Sequence, residues 1–314
     1  MGLGTPYITP ALLTNAPTGI SWKIIPAPKS SDRQQYEEQL AICWRATSIV
    51  DTYCNQPLRS TINTEELTGP GNIRVGIQNG SGNGLLVMRR WPVTQVLAVQ
   101  TSPNRLFPRQ WTLVPPTQYE IEHPLINVAT DTAAADGPDG GSSILLAPGI
   151  IDPRCGRNYL RLLTSYTNGW PHTSLTATAP AGTQVLNVDD VTGWAGASGF
   201  VYDGGSTEPV AVQSVSATTP LPLPNGVGVA QAGPGTVTLT APLAYQHTQG
   251  VIVSALPANV LWATVLAAAT QALESGITAI TIQTLPGSEM SSGHGVEDLQ
   301  MQYELLLQPF RRIV

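Results

Sequence analysis

Residues 31–57 read SDRQQYEEQLAICWRATSIVDTYCNQP and carry the clearest helix signal in the chain. Ser31 and Gln34 have the S-x-x-Q spacing of a capping box, while Asn55 and Pro57 are typical of a helix end. Between these ends, apolar and small residues recur at alternating steps of four and three, which places them on one helix face. These residues are Tyr36, Leu40, Cys43, Thr47, Val50 and Cys54. The pattern predicts a long helix that buries this face against partner helices, in the same subunit or in the next one.

The segments around this helix have other patterns. Residues 1–30 contain five prolines, which favour extended backbone and predict an arm. From residue 59 onward the chain changes to strand-like patterns, and Asn79-Gly80 with the glycines that follow indicates a hairpin turn. Residues 167–255 are rich in Val and Thr with turn residues between them, which is typical of a separate all-β module. Helical patterns return over 258–276 and from Val296 to Phe310.

The sequence therefore predicts an α+β fold. Its helical core comprises the N-terminal helix and two C-terminal helices, joined to a central antiparallel β region and an inserted small all-β module. The predicted divisions are an extended N-terminal arm at 1–30, a core at 31–166 and 256–298, the inserted β-module at 167–255, and a C-terminal helix and docking tail at 299–314.

Charge is scarce and unevenly distributed. Charged residues make up 11% of the chain, against about 25% in an ordinary soluble domain. No Lys or Arg occurs between Arg161 and Arg311, an interval that holds nine acidic residues. The shortage predicts that much of the surface faces other protein. The distribution lacks the basic stripe of a protein that grips DNA. The acidic stretch is open to two interpretations, a solvated surface or the wall of a passage through which DNA slips.

Patterns that carry catalytic or metal chemistry are missing from the sequence. Neither Lys23 nor Lys29 follows a glycine-rich phosphate loop, and no Cys or His spacing matches a zinc site. No Gly-x-Ser-x-Gly nucleophile segment occurs. We therefore expect a protein that is not an enzyme and has no cofactor and no metal. Cys43, Cys54 and Cys155 are predicted to be reduced core thiols, and without a recognisable signal peptide the chain is expected to be made in cytoplasm.

Three stretches resemble one family of virus proteins. Residues 42–58, which end in Tyr53-Cys54-Asn55-Gln56-Pro57-Leu58, resemble the first helix of the head-to-tail adaptors, or head completion proteins, of long-tailed bacteriophages. The segment 88–99, with Trp91-Pro92-Val93, resembles the aromatic-Pro-Val strand of that family. The ending 303–312, with Leu306 followed by Pro309-Phe310-Arg311, resembles its C-terminal tail. The long arm and the β-module depart from the simplest members, which are nearly all helical.

The resemblance implies a non-enzymatic connector subunit at the head-tail interface of a virion. Such adaptors form a ring of copies, typically twelve, that docks on the portal protein and extends the DNA channel without sequence-specific DNA contacts. The ring also presents a platform to a tail-side stopper or tail terminator protein. The residues that would dock on the portal are Tyr303, Leu306, Pro309, Phe310, Arg311 and Arg312. Alternatively, Leu306 and Phe310 close the core of their own chain.

Two other functions stay open at this point. The chain could be another structural component of the virion, such as a tail terminator or a decoration protein. It could also be a carbohydrate-binding or adhesion protein, in which aromatic side chains of the β-module stack on a sugar. The candidates for such a surface are Trp170, Trp194, Tyr202 and Tyr245.

Overall fold

The computed structural model describes residues 4–18, 20–22, 25, 30–68, 73–76, 83–103, 109–122, 143–147, 160–274 and 296–312. Strands predominate in this part of the chain, and they form three larger sheets and one short hairpin. The predicted α+β fold with a helical adaptor core is therefore wrong, because the four described α-helices belong to a mainly β protein. Several strands are rich in Thr, Ser and Asn. These polar residues become buried because the strands pair, so a pattern of apolar residues does not reveal the strands.

The elements have the following bounds. The helices are α1 (Pro10–Asn15), α2 (Asp32–Tyr53), α3 (Ala258–Glu274) and α4 (Val296–Leu307). The first eight strands are β1 (Thr61–Thr68), β2 (Ile73–Gly76), β3 (Asn83–Val87), β4 (Val93–Pro103), β5 (Thr112–Leu113), β6 (Tyr119–Glu122), β7 (Ser143–Leu146) and β8 (Leu160–Asn168). The other eight are β9 (His172–Ser174), β10 (Val185–Val188), β11 (Ser198–Tyr202), β12 (Glu208–Ala217), β13 (Leu221–Pro222), β14 (Val229–Ala230), β15 (Gly235–Leu239) and β16 (Ile252–Ser254).

The helices and the N-terminal segment enclose one hydrophobic cluster, here called the helical core. Helix α2 begins at the capping box of Ser31 and Gln34, as predicted. Helix α3 is buried along almost its whole length and packs against both α2 and α4. Its alanines allow this close approach, because a small side chain keeps neighbouring helix axes near one another. Tyr7 and Ile8, within the predicted arm, are fully buried in this core.

Two four-stranded antiparallel sheets enclose a second core. Their strand orders are β1-β8-β4-β5 and β2-β3-β7-β6. Residues such as Leu67, Leu86, Val99 and Tyr166 fill the space between them. Strand β8 pairs with β1 along eight residues and with β4 on its other side, so it is one of the two inner strands of the first sheet.

Strands β9 to β16, residues 172–254, form the β-module. Six of them make one curled sheet in the order β10-β15-β12-β11-β16-β9. The two edge strands meet, because Leu175 and Val188 form an isolated antiparallel bridge. The fully buried Trp194 lies in the core of this module. Buried and exposed residues alternate along β10 and the first half of β12, as expected for strands with one face in a core.

A hairpin from the β-module reaches the first four-stranded sheet. Leu223 and Ala230 pack with Ala98 of β4 in a small hydrophobic cluster. The Asn225 side chain donates a hydrogen bond of 2.9 Å to the buried Gln100 amide oxygen. The module is thus attached to the first sheet through these side-chain contacts as well as through the chain from β8 to β9, while its other end leads into α3.

Candidate functional site: the C-terminal segment and its contacts

Helix α4 has apolar residues on two faces. Tyr303 and Leu307 are buried in the helical core, and Leu299 and Leu306 pack half-buried against it. On the outer face, Met301 and Leu305 lie one turn apart and are exposed by 70% and 68%. Exposed apolar side chains at neighbouring positions are a typical feature of interaction surfaces.

The segment after α4 folds back onto the end of α2. It forms a 3-10 turn at Gln308–Phe310 and is then extended. The backbone N–H of Arg312 donates a 3.0 Å hydrogen bond to the carbonyl of Cys54, and the Asn55 side chain donates one of 3.0 Å to the carbonyl of Arg312. A helix leaves its last carbonyls without intrahelical partners, so the segment satisfies one of them.

Aromatic rings connect this segment to the sheets. The ring of Phe310 lies edge to face with Trp170 at 5.5 Å between centroids, and Trp170 lies edge to face with Trp91 at 6.2 Å. Trp170 follows Gly169, whose φ of +81° and close approach to the Arg59 carbonyl leave no room for a Cβ. Edge-to-face pairs contribute about 0.5–1.5 kcal/mol each beyond their buried area.

A cation lies over the last turn of α2. The Arg311 guanidinium carbon is 5.3 Å from the centre of the Tyr53 ring. Burial raises the pKa of Tyr53, the nearby Glu304 raises it further, and Arg311 opposes both. Beside this pair, Ser48, Ile49, Thr52, Tyr53 and Tyr303 line an open groove of about 290 Å³ between α2 and α4.

The structure thus brings the six predicted docking residues to one end of the helical core. Tyr303 is buried, Leu306, Phe310 and Arg312 are half-buried, and Pro309 and Arg311 are exposed. Asn55 and Trp170, which contact these residues, and Trp91, which contacts Trp170, were not predicted as part of this site. The spacing of Trp91 and Trp170 in the sequence contains no signal that would have linked them to residue 310.

The predicted packing face of α2 is buried over part of its length. Cys43, Thr47 and Val50 lie in the helical core, Leu40 is half-buried and Tyr36 is 55% exposed. Residues 32–38 include no buried residue, so the first two turns of α2 extend past the core. The buried face also includes Gln39, Ile42 and Ala46, which the predicted stripe omitted.

The aromatic residues proposed for sugar stacking do not lie on one surface. Trp194 is enclosed in the core of the β-module, and Trp170 contacts Phe310 and Trp91. Tyr202 packs half-buried against the helical core, next to Phe200. Of the four, Tyr245 alone is more than half exposed.

Acidic residues of the β-module are largely engaged in internal contacts. The two ring nitrogens of His247 lie 3.1 Å from Asp203 and 2.7 Å from Glu208. Asp190 accepts hydrogen bonds from the backbone of Thr192 at 2.9 Å and of Gly233 at 3.0 Å. Among the residues that the structure describes, no group of three or more His, Cys, Asp or Glu side chains is placed to hold a metal ion.

Comparisons with known proteins give no family. A scan against protein-family models finds no match, and searches of the curated proteins and of the solved structures find none either. Within the described part of the chain, no helix combines the length and apolar character needed to cross a membrane.

Proposed function

We propose that this chain is a structural subunit of a bacteriophage particle, where a ring of copies at the head-tail interface docks on the portal protein. The exposure of Met301 and Leu305 on α4 is the observation that carries the proposal. Leu305 lies within residues 303–312, one of the three stretches that resemble the adaptor family, and Met301 lies one turn before it on α4. An apolar face beside such a segment offers a partner a dry contact area.

The composition is typical of a subunit of an assembly rather than of a free monomer. Only 11% of the residues are charged. In the β-module, the side chains of Asp203 and Glu208 make hydrogen bonds with the ring of His247. A surface with few free charges is poorly solvated on its own and is favoured where neighbouring copies or partners cover it. In this proposal the ring surrounds the DNA channel, makes no sequence-specific DNA contact, and presents its far side to a tail-side stopper or tail terminator protein.

The direct test is association with the portal protein encoded by the same genome. The purified chain is mixed with the portal ring, and the mass of the complex is measured by light scattering. Twelve subunits of 33.2 kDa add about 400 kDa. A folded portal ring that gains no mass would refute portal docking.

Substitutions on α4 locate the contact. We expect Met301→Ser with Leu305→Ser to weaken portal association at least tenfold, because both exposed side chains lose their apolar contact area. The matched control is Leu221→Ser with Val229→Ser, which removes two exposed apolar residues from the hairpin of the β-module. Equal losses in both variants would argue against α4 as the docking face.

A further inference from the structure

The end of α2 and the two tryptophans form an acceptor surface for the C-terminal segment. It consists of Tyr53, Cys54, Asn55 and Trp170, which contact the segment, and of Trp91, which packs against Trp170. We infer that this acceptor surface is a peptide-binding site for an aromatic residue followed by two arginines. In the isolated chain its own residues 308–312 occupy it as a reversible latch.

Each feature of the bound segment has a matching feature in the acceptor surface. The ring of Phe310 meets the edge of Trp170, and the guanidinium of Arg311 lies over Tyr53. The Arg312 backbone both donates to and accepts from residues 54 and 55. The Arg311 cation beside the C-terminus of α2 also interacts favourably with the negative end of the helix dipole.

The latch is superficial compared with the core beneath it. Gln308, Pro309 and Arg311 are exposed, and Phe310 and Arg312 are half-buried. The fully buried Leu307 and the buried Tyr303 precede the latch, whereas within the latch Phe310 packs only half-buried against the helical core. A short surface segment held by few contacts opens at a low free-energy cost relative to global unfolding.

Occupation of the acceptor surface has a consequence for assembly. The residues bound there, Phe310, Arg311 and Arg312, are among those proposed to dock on the portal. They must leave the acceptor surface before they contact another protein, which lowers the apparent affinity for that partner. This consequence rests on the proposed function, whereas the peptide site itself does not.

The test uses a protein that ends at Leu307 and a fluorescent peptide with the sequence of residues 308–314, Gln-Pro-Phe-Arg-Arg-Ile-Val. We expect saturable binding to the truncated protein, measured by fluorescence anisotropy. The full chain should bind at least about tenfold more weakly, because the tethered segment competes at a millimolar effective concentration. Equal binding by the two proteins, or no binding to a truncated protein that melts cooperatively, would overturn the inference.

Two substitutions on one helix provide a matched pair. In the truncated protein, Tyr53→Ala should lower peptide affinity about tenfold, and Tyr36→Ala should leave it unchanged. Tyr36 is 17 residues earlier on α2, about 26 Å away at the helical rise. A peptide with Phe310→Ala should also bind about tenfold more weakly. A Tyr36→Ala loss as large as that of Tyr53→Ala would contradict binding at this end of the helix.

The full chain offers a second measurement that does not depend on truncation. Trypsin cleaves after Arg311 and Arg312, and mass spectrometry follows the loss of the end of the chain. We expect Trp170→Ala to accelerate this cleavage severalfold relative to Tyr36→Ala, because Phe310 loses its ring partner. Equal rates in the two variants would refute the latch. If the chain never binds portal but the Trp170→Ala variant is cleaved faster, the peptide site is supported and only the proposed function is refuted.

Discussion

The phenolic O–H of Tyr7 donates a hydrogen bond to the carboxylate of Asp51, on the last turn of α2. The same phenol oxygen accepts hydrogen bonds from the backbone N–H groups of Leu58, at 2.8 Å, and Arg59, at 3.1 Å. Burial raises the pKa of Tyr7, and Asp51 raises it further, so the phenol keeps its proton. One side chain of the N-terminal segment therefore fixes the end of α2 against the start of β1.

Substitution of Tyr7 by Phe tests this connection. Tyr7→Phe leaves the Arg59 N–H without its phenol partner and removes the donor to the half-buried Asp51 carboxylate. We expect the free energy of unfolding in urea to fall by about 2 kcal/mol, as is typical for a lost hydrogen bond to a charged group. Tyr36→Phe, on the exposed start of the same helix, should change it by less than about 0.5 kcal/mol. Similar values for the two variants would count against the connection.

His172 predicts a pH dependence of stability. Its Nε2 lies 2.9 Å from the Pro6 carbonyl and its Nδ1 lies 2.9 Å from the Ser254 hydroxyl, which suits a neutral ring. Burial lowers its pKa to about 4. In the unfolded chain the pKa of a His ring is about 6.5. Between pH values of about 4 and about 6.5 the unfolded state therefore binds more protons than the folded state. The stabilisation from this residue is complete above about pH 6.5 and is lost as the pH falls toward 4.

An NMR titration of the His172 ring checks this prediction. We expect its ring resonances to stay constant from pH 7.5 to 5 in the folded protein and to titrate near about pH 6.5 in urea. The free energy of unfolding should decrease by up to about 1.4 kcal/mol per pH unit within the window, and this part of the slope should vanish in His172→Gln. A folded-state titration of the ring near pH 6.5 would contradict the burial argument.

Glu208 predicts a second pH dependence of stability, at more acidic pH. Burial opposes its ionisation, but the backbone N–H of Ala244, the His247 ring and the N–H of Tyr245 outweigh burial and lower the pKa of the carboxyl. A lowered folded pKa means that the stabilisation is present above the ordinary Glu value of about 4.3 and is lost as the pH falls through the folded value.

Glu208→Gln removes this charge. At pH 7 we expect a loss of about 2 kcal/mol in the free energy of unfolding, because a charge-assisted hydrogen-bond network becomes neutral. The difference from the wild-type chain should shrink below about pH 4. Glu120→Gln, at an exposed position, serves as the control and should have little effect at either pH. A difference that is independent of pH would show that the charge of Glu208 is not the cause.

The hairpin contact predicts a local effect of Leu223→Ala. Leu223 is buried against Ala98 and Ala230, so its truncation leaves a cavity between the β-module and the first sheet. We expect a loss of about 2–3 kcal/mol, with faster amide exchange in β13 and β14 than in β12. Leu221→Ala, on the same hairpin but exposed, should cost less than about 0.5 kcal/mol. Uniformly faster exchange through the module would indicate that the hairpin is not a separate attachment.

Local patterns predicted individual elements well and the overall class badly. The capping box at Ser31 and Gln34 depends on near neighbours and forms as predicted, and residues 167–255, predicted to be β-rich, contain the strands β9 to β16. Strand β1, with the sequence TINTEELT, escaped prediction because it has no regular alternation of apolar residues. Its partner β8 buries the polar residues Thr164, Ser165 and Asn168. Ser165 and Asn168 make side-chain hydrogen bonds to Thr64 and Thr61 of β1, and a local pattern does not contain such cross-strand partners.

The sequence by itself determined the ends of α2, the alternation within the β-module, and the apolar and basic character of residues 303–312. These properties follow from interactions within a few residues, such as capping and side-chain periodicity. Only the tertiary structure decided that Arg312 meets Asn55 across 257 residues of sequence, and that Phe310 meets Trp170. Such contacts depend on how α2, α4 and the link from β8 to β9 pack together. Packing is a property of the whole chain, so no short stretch of sequence specifies the acceptor surface.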